Sequence, residues 1–322
     1  MRKILGIALL LAGLVAAICA YQLAKDHHVA FFGFNNLSNL AQRIGILGIY
    51  AIGAGIVILS GGIDLSIGSV IGFTGVIMVM CVTNLHLSPW LVAPGVIAFC
   101  VLLGFWHGFL IGRFNLQPFI VTLCSLLLLR GLARGICGGE SQRLQGFGFL
   151  GNGAVLRIPV PFVIMIALAL IVSFFMNFTV YGRYLYAIGR NAEAVRYSGI
   201  KVNRMRTAAY VTCAVLAGIA GIISVSYTGE VQPASAGLMF EMWAIAAAVL
   251  GGCSLRGGEG SVLGVIIGAA LIKVMYNGIN LIGISTEWEW AVIGVVILGG
   301  VIADAAYKQR SAKLAAKHAA KG

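Results

Sequence analysis

Charge is scarce in this chain. Its 322 residues include 10 Asp and Glu and 22 Lys and Arg, 10% of the total, where an ordinary soluble domain carries roughly a quarter. With 60% of residues apolar, no soluble fold of this length can hide its hydrophobic surface. That excludes a cytosolic enzyme, a disordered protein and a secreted disulfide scaffold. Strict polar–apolar alternation is also missing. Runs such as Ile4–Ala20 and Pro161–Phe175 are apolar on every face, which argues against an outer-membrane barrel. The 7 cysteines (Cys19, Cys81, Cys100, Cys124, Cys137, Cys213, Cys253) form no C-x-x-C pair and read as small buried residues. The 5 histidines are scattered, and no carboxylate cluster joins the adjacent His27 and His28, so no metal site or cofactor is expected. A G-x-x-x-x-G-K-[ST] phosphate loop, a G-x-S-x-G elbow and an H-E-x-x-H helix are all absent, and no Gly-Lys dipeptide occurs. The chain cannot cradle nucleotide phosphates in that way. Any active transport must draw its energy from another chain or an ion gradient.

What the sequence does hold is material for about ten membrane helices of about 20 residues each. Hydropathy places spans at 4–24, 40–59, 67–83, 91–111, 118–135, 159–178, 207–226, 241–253, 262–282 and 288–305. The first could be a signal peptide, but it is long enough to span and has a poor small-x-small cleavage signal, so it reads as an uncleaved helix. The fold class is therefore all-α, a polytopic membrane protein forming one transmembrane domain over 1–322. Basic residues cluster at Arg2 and Lys3, at Arg183, Arg190, Arg196, Lys201, Arg204 and Arg206, and at Lys308, Arg310, Lys313, Lys317 and Lys321. Cytoplasmic loops carry excess Lys and Arg. With the N-terminus inside, the ten crossings put loop 179–206, the tail 306–322 and both termini in the cytoplasm. Arg130, Arg134, Arg143 and Arg157 run against the trend. The basic tail reads as an orientation signal, not a nucleic-acid arm.

Candidate functional residues follow from the interruptions. The span 241–253 is short, and Gly-Gly pairs at 251–252 and 257–258 follow it. Irregular backbone at membrane depth is tolerated only where protein or a water-filled cavity surrounds it. Gly61-Gly62-x-x-Leu65 matches Gly251-Gly252-x-x-Leu255 at an offset of 190, and Gly68-Ser69-Val70 matches Gly260-Ser261-Val262 at 192. This is a weak internal repeat of the kind transporters carry, or a chance likeness of glycine-rich turns. Asp64 and Glu241 each stand just before an apolar run, as a helix cap or a ligand contact. Lys273 falls mid-span, where it snorkels or pairs with an acid such as Glu289. Trp288 and Trp290 mark a membrane interface. Asn115, Gln117, Asn277 and Asn280 could line a polar path or make interhelical hydrogen bonds. In loop 179–206, Asn191 is a plausible cap, Ala192–Tyr197 favours helix and Gly199 can end it. The result is a two-turn helix with Glu193 and Arg196 on one side. It suits docking into a partner's groove, or lies on the membrane as a connector.

Three segments together resemble the membrane permease of bacterial ATP-binding-cassette (ABC) importers for monosaccharides, of the ribose/xylose/galactose type. They are Leu59–Ser69, Ala187–Ile200 and Ala244–Gly260, with Asn115–Leu123, Arg130-Gly-Leu132 and Asn277-Gly-Ile-Asn-Leu281 in support. The resemblance runs from about residue 38 to 305. It implies the ABC importer permease fold with both ends cytoplasmic, in the inner membrane. It also implies three partners besides the bilayer: a separate ABC ATPase, a periplasmic substrate-binding protein, and a second permease copy or paralogue. It assigns ATPase coupling to Gly189, Arg190, Asn191, Glu193, Ala194, Arg196, Ser198 and Gly199. Asp64, Glu241, Trp243, Asn277 and Asn280 are the gate or pathway candidates. The chain departs from the pattern where Met242 and Trp243 follow Glu241, and where Arg256 and Glu259 add charges. The competing expectation is a self-sufficient secondary transporter or channel for a small polar solute, which needs ion-coupling acids within its helices. An integral membrane enzyme would need convergent acids or histidines on one face, and none is evident.

Overall fold

In the computed structural model, residues 2–26, 29–144, 146–295 and 298–299 are described. In chain order the elements are α1 (Arg2–Asp26), α2 (Phe34–Leu59), α3 (Ile67–Thr83), α4 (Pro89–Arg113), α5 (Pro118–Ile136), β1 (Gln142–Arg143), α6 (Phe149–Asn152), β2 (Ala154–Val155), β3 (Ile158–Pro159), α7 (Val160–Phe178), α8 (Val180–Arg190), α9 (Ala192–Tyr197), α10 (Val202–Thr228), β4 (Glu230–Val231), α11 (Phe240–Leu250) and α12 (Val262–Ile282). Residues 289–295 are again helical. Among the described residues, 7 helices are long and apolar enough to cross a membrane. The shorter apolar α3 and α11, and the helix that starts at 289, stand at the positions of the other three expected spans. The tail 306–322 lies outside the described residues.

The bundle is organised around α2, 94% of whose most apolar window is buried. It packs on α7, α10, α11 and α12, while α10 also packs on α3 and α4. Lipid tails give helices no hydrophobic reason to associate, so small residues that allow close backbone approach take over. Gly104, Gly108 and Gly112 of α4 lie one turn apart against Val211, Thr207 and Asn203 of α10, and side chains at the first two would strike α10 backbone. Gly53 of α2 likewise rests on Cys213, where a Cβ would stand 3.1 Å from the Cys213 Cα. By contrast α1 packs on α12 at the edge, with only 6% of its window buried.

Several helix limits differ from the hydropathy reading. The second span starts at Phe34, not 40, and the seventh at Val202, not 207. Both extensions carry polar side chains that the fold satisfies. Asn36 of α2 exchanges amide hydrogen bonds with Asn277 of α12 (2.6 and 3.2 Å), and Asn203 of α10 donates to the Gly112 carbonyl (2.7 Å). Inside the loop expected at 179–206 stands α8, which buries Gly182, Leu185 and Ile188 at three-residue spacing.

Two irregular segments enter the bundle from opposite ends. Residues 60–66 join α2 to α3, and Ile63 presents its carbonyl to Thr122 of α5 (3.4 Å) and Tyr210 of α10 (3.5 Å). Residues 229–239 leave α10 and pair first with the segment that follows α5, β4 against β1 (Val231 with Gln142, Glu230 with Arg143). They then run along α3, so that a Cβ at Gly72 would stand 2.7 Å from the Ala236 carbonyl and one at Gly68 would collide with Gly237. Arg130 of α5 holds this segment by donating to the Ala236 carbonyl (2.6 Å). Protein surrounds both segments, as irregular backbone at membrane depth requires.

Candidate coupling helix and gate

The helix expected at 192–197 is present as α9. The Asn191 side chain caps it by accepting from the Ala194 amide (3.0 Å). Its far end is closed by Ser198, whose hydroxyl donates to the Ala194 carbonyl (3.1 Å), and the chain turns away at Gly199. Glu193 and Arg196 face each other at 3.4 Å on the exposed side, a pair that adds little stability in water. One side chain of α9 is buried, Val195. It forms an apolar cluster with Ile188 of α8 and Val202 of α10. The spacing of seven residues puts one anchor on each of three consecutive helices and ties α9 to α8 and the start of α10. Tyr197 stays 87% exposed.

Just before α9, the chain meets the two glycine-rich turns. A Cβ at Gly189 would collide with the Leu59 carbonyl and with the amide of Gly258, and Gly258 itself donates to that same Leu59 carbonyl (3.0 Å). Tyr186 of α8 donates to the Gly260 carbonyl (3.0 Å). Burial raises the Tyr186 phenol above its ordinary pKa, so this donor keeps its proton through neutral and mildly alkaline pH. Gly189, Gly61, Gly257 and Gly258 thus form a backbone knot between α8, the end of α2 and the α11–α12 turn. Arg190 adjoins it through Gly258, where a Cβ would meet the Arg190 backbone nitrogen at 2.9 Å.

The two turns are alike in structure, but one residue out of step with the sequence match at 190: Gly61 corresponds to Gly252 and Gly62 to Cys253. Gly62 donates to Val57 and Gly61 to Ile58 (3.0 and 2.9 Å), while Cys253 donates to Ala248 and Gly252 to Val249 (both 2.9 Å). Each pair of bonds matches at a shift of 191 residues (57 to 248, 61 to 252), which is the helix-ending motif that needs a left-handed residue at its corner. Glycine supplies it both times, with φ of +80° at Gly61 and +90° at Gly252. The Gly-Ser-Val match does not extend the likeness. Ser261 caps α12 through the Gly264 amide (3.0 Å), whereas Ser69 lies one turn inside α3.

Of the gate candidates, Asp64 and Glu241 lie close to the start of α3. Asp64 is buried and accepts from the Ser66 amide (2.8 Å) and hydroxyl (2.6 Å). It therefore fixes the turn into α3 instead of capping the helix interior. Glu241, in the first turn of α11, is buried with its carboxylate against Gly68. Its Oε2 has no hydrogen-bond partner among the described residues. Arg130 figures in the sequence only as an exception to the charge rule. Its role shows once segment 229–239 is seen to fold back on α3.

The remaining candidates lie on α11, on α12 and in the α4–α5 turn. Trp243 packs edge-on against Tyr276 (5.4 Å), and Lys273 sits over the same tyrosine ring (5.2 Å). Asn277 is committed to Asn36. Asn280 is exposed and donates to the Tyr276 carbonyl (2.9 Å) and to Glu289 (3.3 Å). Asn115 and Gln117 lie in the α4–α5 turn, where the Gln117 carbonyl accepts from the Ile120 amide (3.1 Å).

The chain matches a family described as branched-chain amino acid transport system / permease component over residues 36–301. It is 36% identical to the ribose import permease protein RbsC of Escherichia coli K12, over 90% of this chain and 92% of that one. It is 39% identical to the RbsC of Haemophilus influenzae, over 85% and 86%. Identity to the xylose transport system permease protein XylH of E. coli K12 is 30%, over 95% and 93%. No solved structure matches the chain. A glycine-jointed helical bundle with this extent of likeness belongs to the family of membrane permease components of transport systems.

Proposed function

We propose that the chain is the membrane permease subunit of an ABC importer that moves a monosaccharide of the ribose class across a bacterial inner membrane by alternating access. The names of relatives at 36 and 39% identity support the substrate class. The observation that carries the mechanism is the path from α9 to the glycine knot. In this reading a separate ATPase grips α9 through Asn191, Glu193, Ala194, Arg196, Ser198 and Gly199, with both termini and loop 179–206 cytoplasmic. A periplasmic binding protein delivers the sugar, and a second permease copy or paralogue completes the pathway. The chain itself performs no covalent chemistry.

When ATP closes the motor, α9 is displaced together with α8, because Ile188, Val195 and Val202 hold them together. Gly189 bears directly on Leu59 and Gly258, so the displacement reaches the end of α2 and the α11–α12 turn at once. Those turns border segment 60–66, and with Asp64, Glu241 and Trp243 they form the gate. Tyr276, Asn277 and Asn280 continue the pathway surface. Two discrete packings of this knot, each favoured by a different nucleotide state, are what alternating access requires.

The test is ATP-driven uptake in proteoliposomes containing the ATPase and the binding protein. Glu193→Lys is expected to abolish uptake of labelled ribose while the permease inserts at wild-type levels. Unchanged uptake, or uptake that needs an ion gradient and survives loss of the ATPase, overturns the assignment.

A further inference from the structure

A groove of about 760 Å³ opens between the last turns of α4 and the first turns of α10. Its walls are Phe105 and Phe109 on one side and Ala208 and Val211 on the other, and Arg113 and Arg204 stand at its mouth. Gly108 and Gly112, packed directly on Thr207 and Asn203, form its floor. Both arginines are exposed, and their side chains make no ion pair or hydrogen bond among the described residues. The two guanidinium groups sit on adjacent helices at one end of an apolar slot. A guanidinium fork matches phosphate geometry. From residue 113 to 105 the wall runs about 12 Å at 1.5 Å per residue, close to the roughly 15 Å depth of one leaflet's hydrocarbon.

We infer that this groove is a binding site for an anionic phospholipid of the cytoplasmic leaflet. Its phosphate lies between Arg113 and Arg204 and one acyl chain lies along Phe105, Phe109 and Val211. The leaflet rests on the orientation given under Proposed function; the chemistry of the site does not. Charge complementarity at the mouth and an apolar floor of acyl-chain length select a lipid over a second copy of the chain. The remaining exposed aromatic surface of α4, including Trp106 at 53% exposure, faces outward beside the groove as a bilayer-facing wall.

The experiment is native mass spectrometry of the purified full chain in neutral detergent, titrated with phosphatidylglycerol or with phosphatidylcholine of the same chain length. The wild type is expected to retain phosphatidylglycerol in preference. An Arg or Lys near a lipid surface is worth about 5-fold in affinity, so R113Q/R204Q should weaken that preference by roughly 30-fold. Ala208→Phe keeps both charges but fills the slot, and should also lose the retained lipid. Equal retention of the two lipids, or unchanged retention in either variant, overturns the proposal. So does a wild-type dimer that R113Q/R204Q converts to monomer with no change in lipid. Because the assay needs neither ATPase nor sugar, its outcome is separate from that of the transport reading.

Discussion

Substituting Gly257 by alanine probes the knot most sharply. Gly257 has φ of +87°, and a Cβ there would stand 2.8 Å from the Gly189 carbonyl oxygen, 2.9 Å from the Gly189 Cα and 3.0 Å from the Gly61 Cα. All three neighbours are backbone, so no rotamer change relieves the contact. The left-handed conformation costs alanine about 1–2 kcal/mol, and overpacking adds about 1–3 kcal/mol. Together these set about 2–5 kcal/mol against the packed knot, which displaces an equilibrium between two packings by roughly 30-fold or more. The assay is ATP-driven uptake beside ATP hydrolysis in the same proteoliposomes. Uptake is expected to fall by roughly tenfold or more, while hydrolysis continues and the amount of inserted permease is unchanged. Gly131→Ala is the control, since nothing lies within 4 Å of its Cβ position. Wild-type uptake by Gly257→Ala, or equal loss in Gly131→Ala, would refute the transmission path.

Other outcomes follow from the same geometry. Asn36→Ala and Asn277→Ala remove opposite halves of a reciprocal amide pair, so a double-mutant cycle of thermal stability should show coupling of about 0.6 kcal/mol, the average for membrane hydrogen bonds; additive losses would deny the pairing. Asn191→Ala should destabilise α9 by about 0.5–2 kcal/mol, measured as faster amide exchange over 192–198; unchanged exchange would count against the cap. Tyr186→Phe removes the bond to Gly260, and wild-type transport should show no titration of this contact at neutral pH, because the raised phenol pKa moves any loss above the ordinary tyrosine range. A loss of coupling between neutral and mildly alkaline pH that Tyr186→Phe eliminates would contradict that assignment.

Much of the architecture was legible because the bilayer acts as a solvent. Helices apolar on every face, such as α1 and α7, stand out without any tertiary knowledge. The short helix α9 was also legible, since Asn191 and Gly199 are local signals acting within one turn. Hydropathy failed where tertiary partners replace water. It stopped α2 at residue 40 because Asn35, Asn36 and Asn39 depress the average, yet Asn36 is matched by Asn277. It passed over α8, which is too short and too polar for a span, although Tyr181, Leu185 and Ile188 carry a helical period. Segment 229–239 has no period at all. Its path is set by Arg130, Gly68 and Gly72, residues far away in sequence. Asp64 and Glu241 stand out by their cost near the apolar zone, but nothing local indicates that Glu241 joins Asp64 near the start of α3.

For a motor subunit to grip it, α9 must face the compartment that holds ATP. Tyr197, 87% exposed on that helix, can be replaced by cysteine in a background without the 7 native cysteines and treated with a membrane-impermeant maleimide. Labelling in inside-out vesicles, and protection there once the ATPase is bound, is the predicted result. Labelling in right-side-out vesicles contradicts the account.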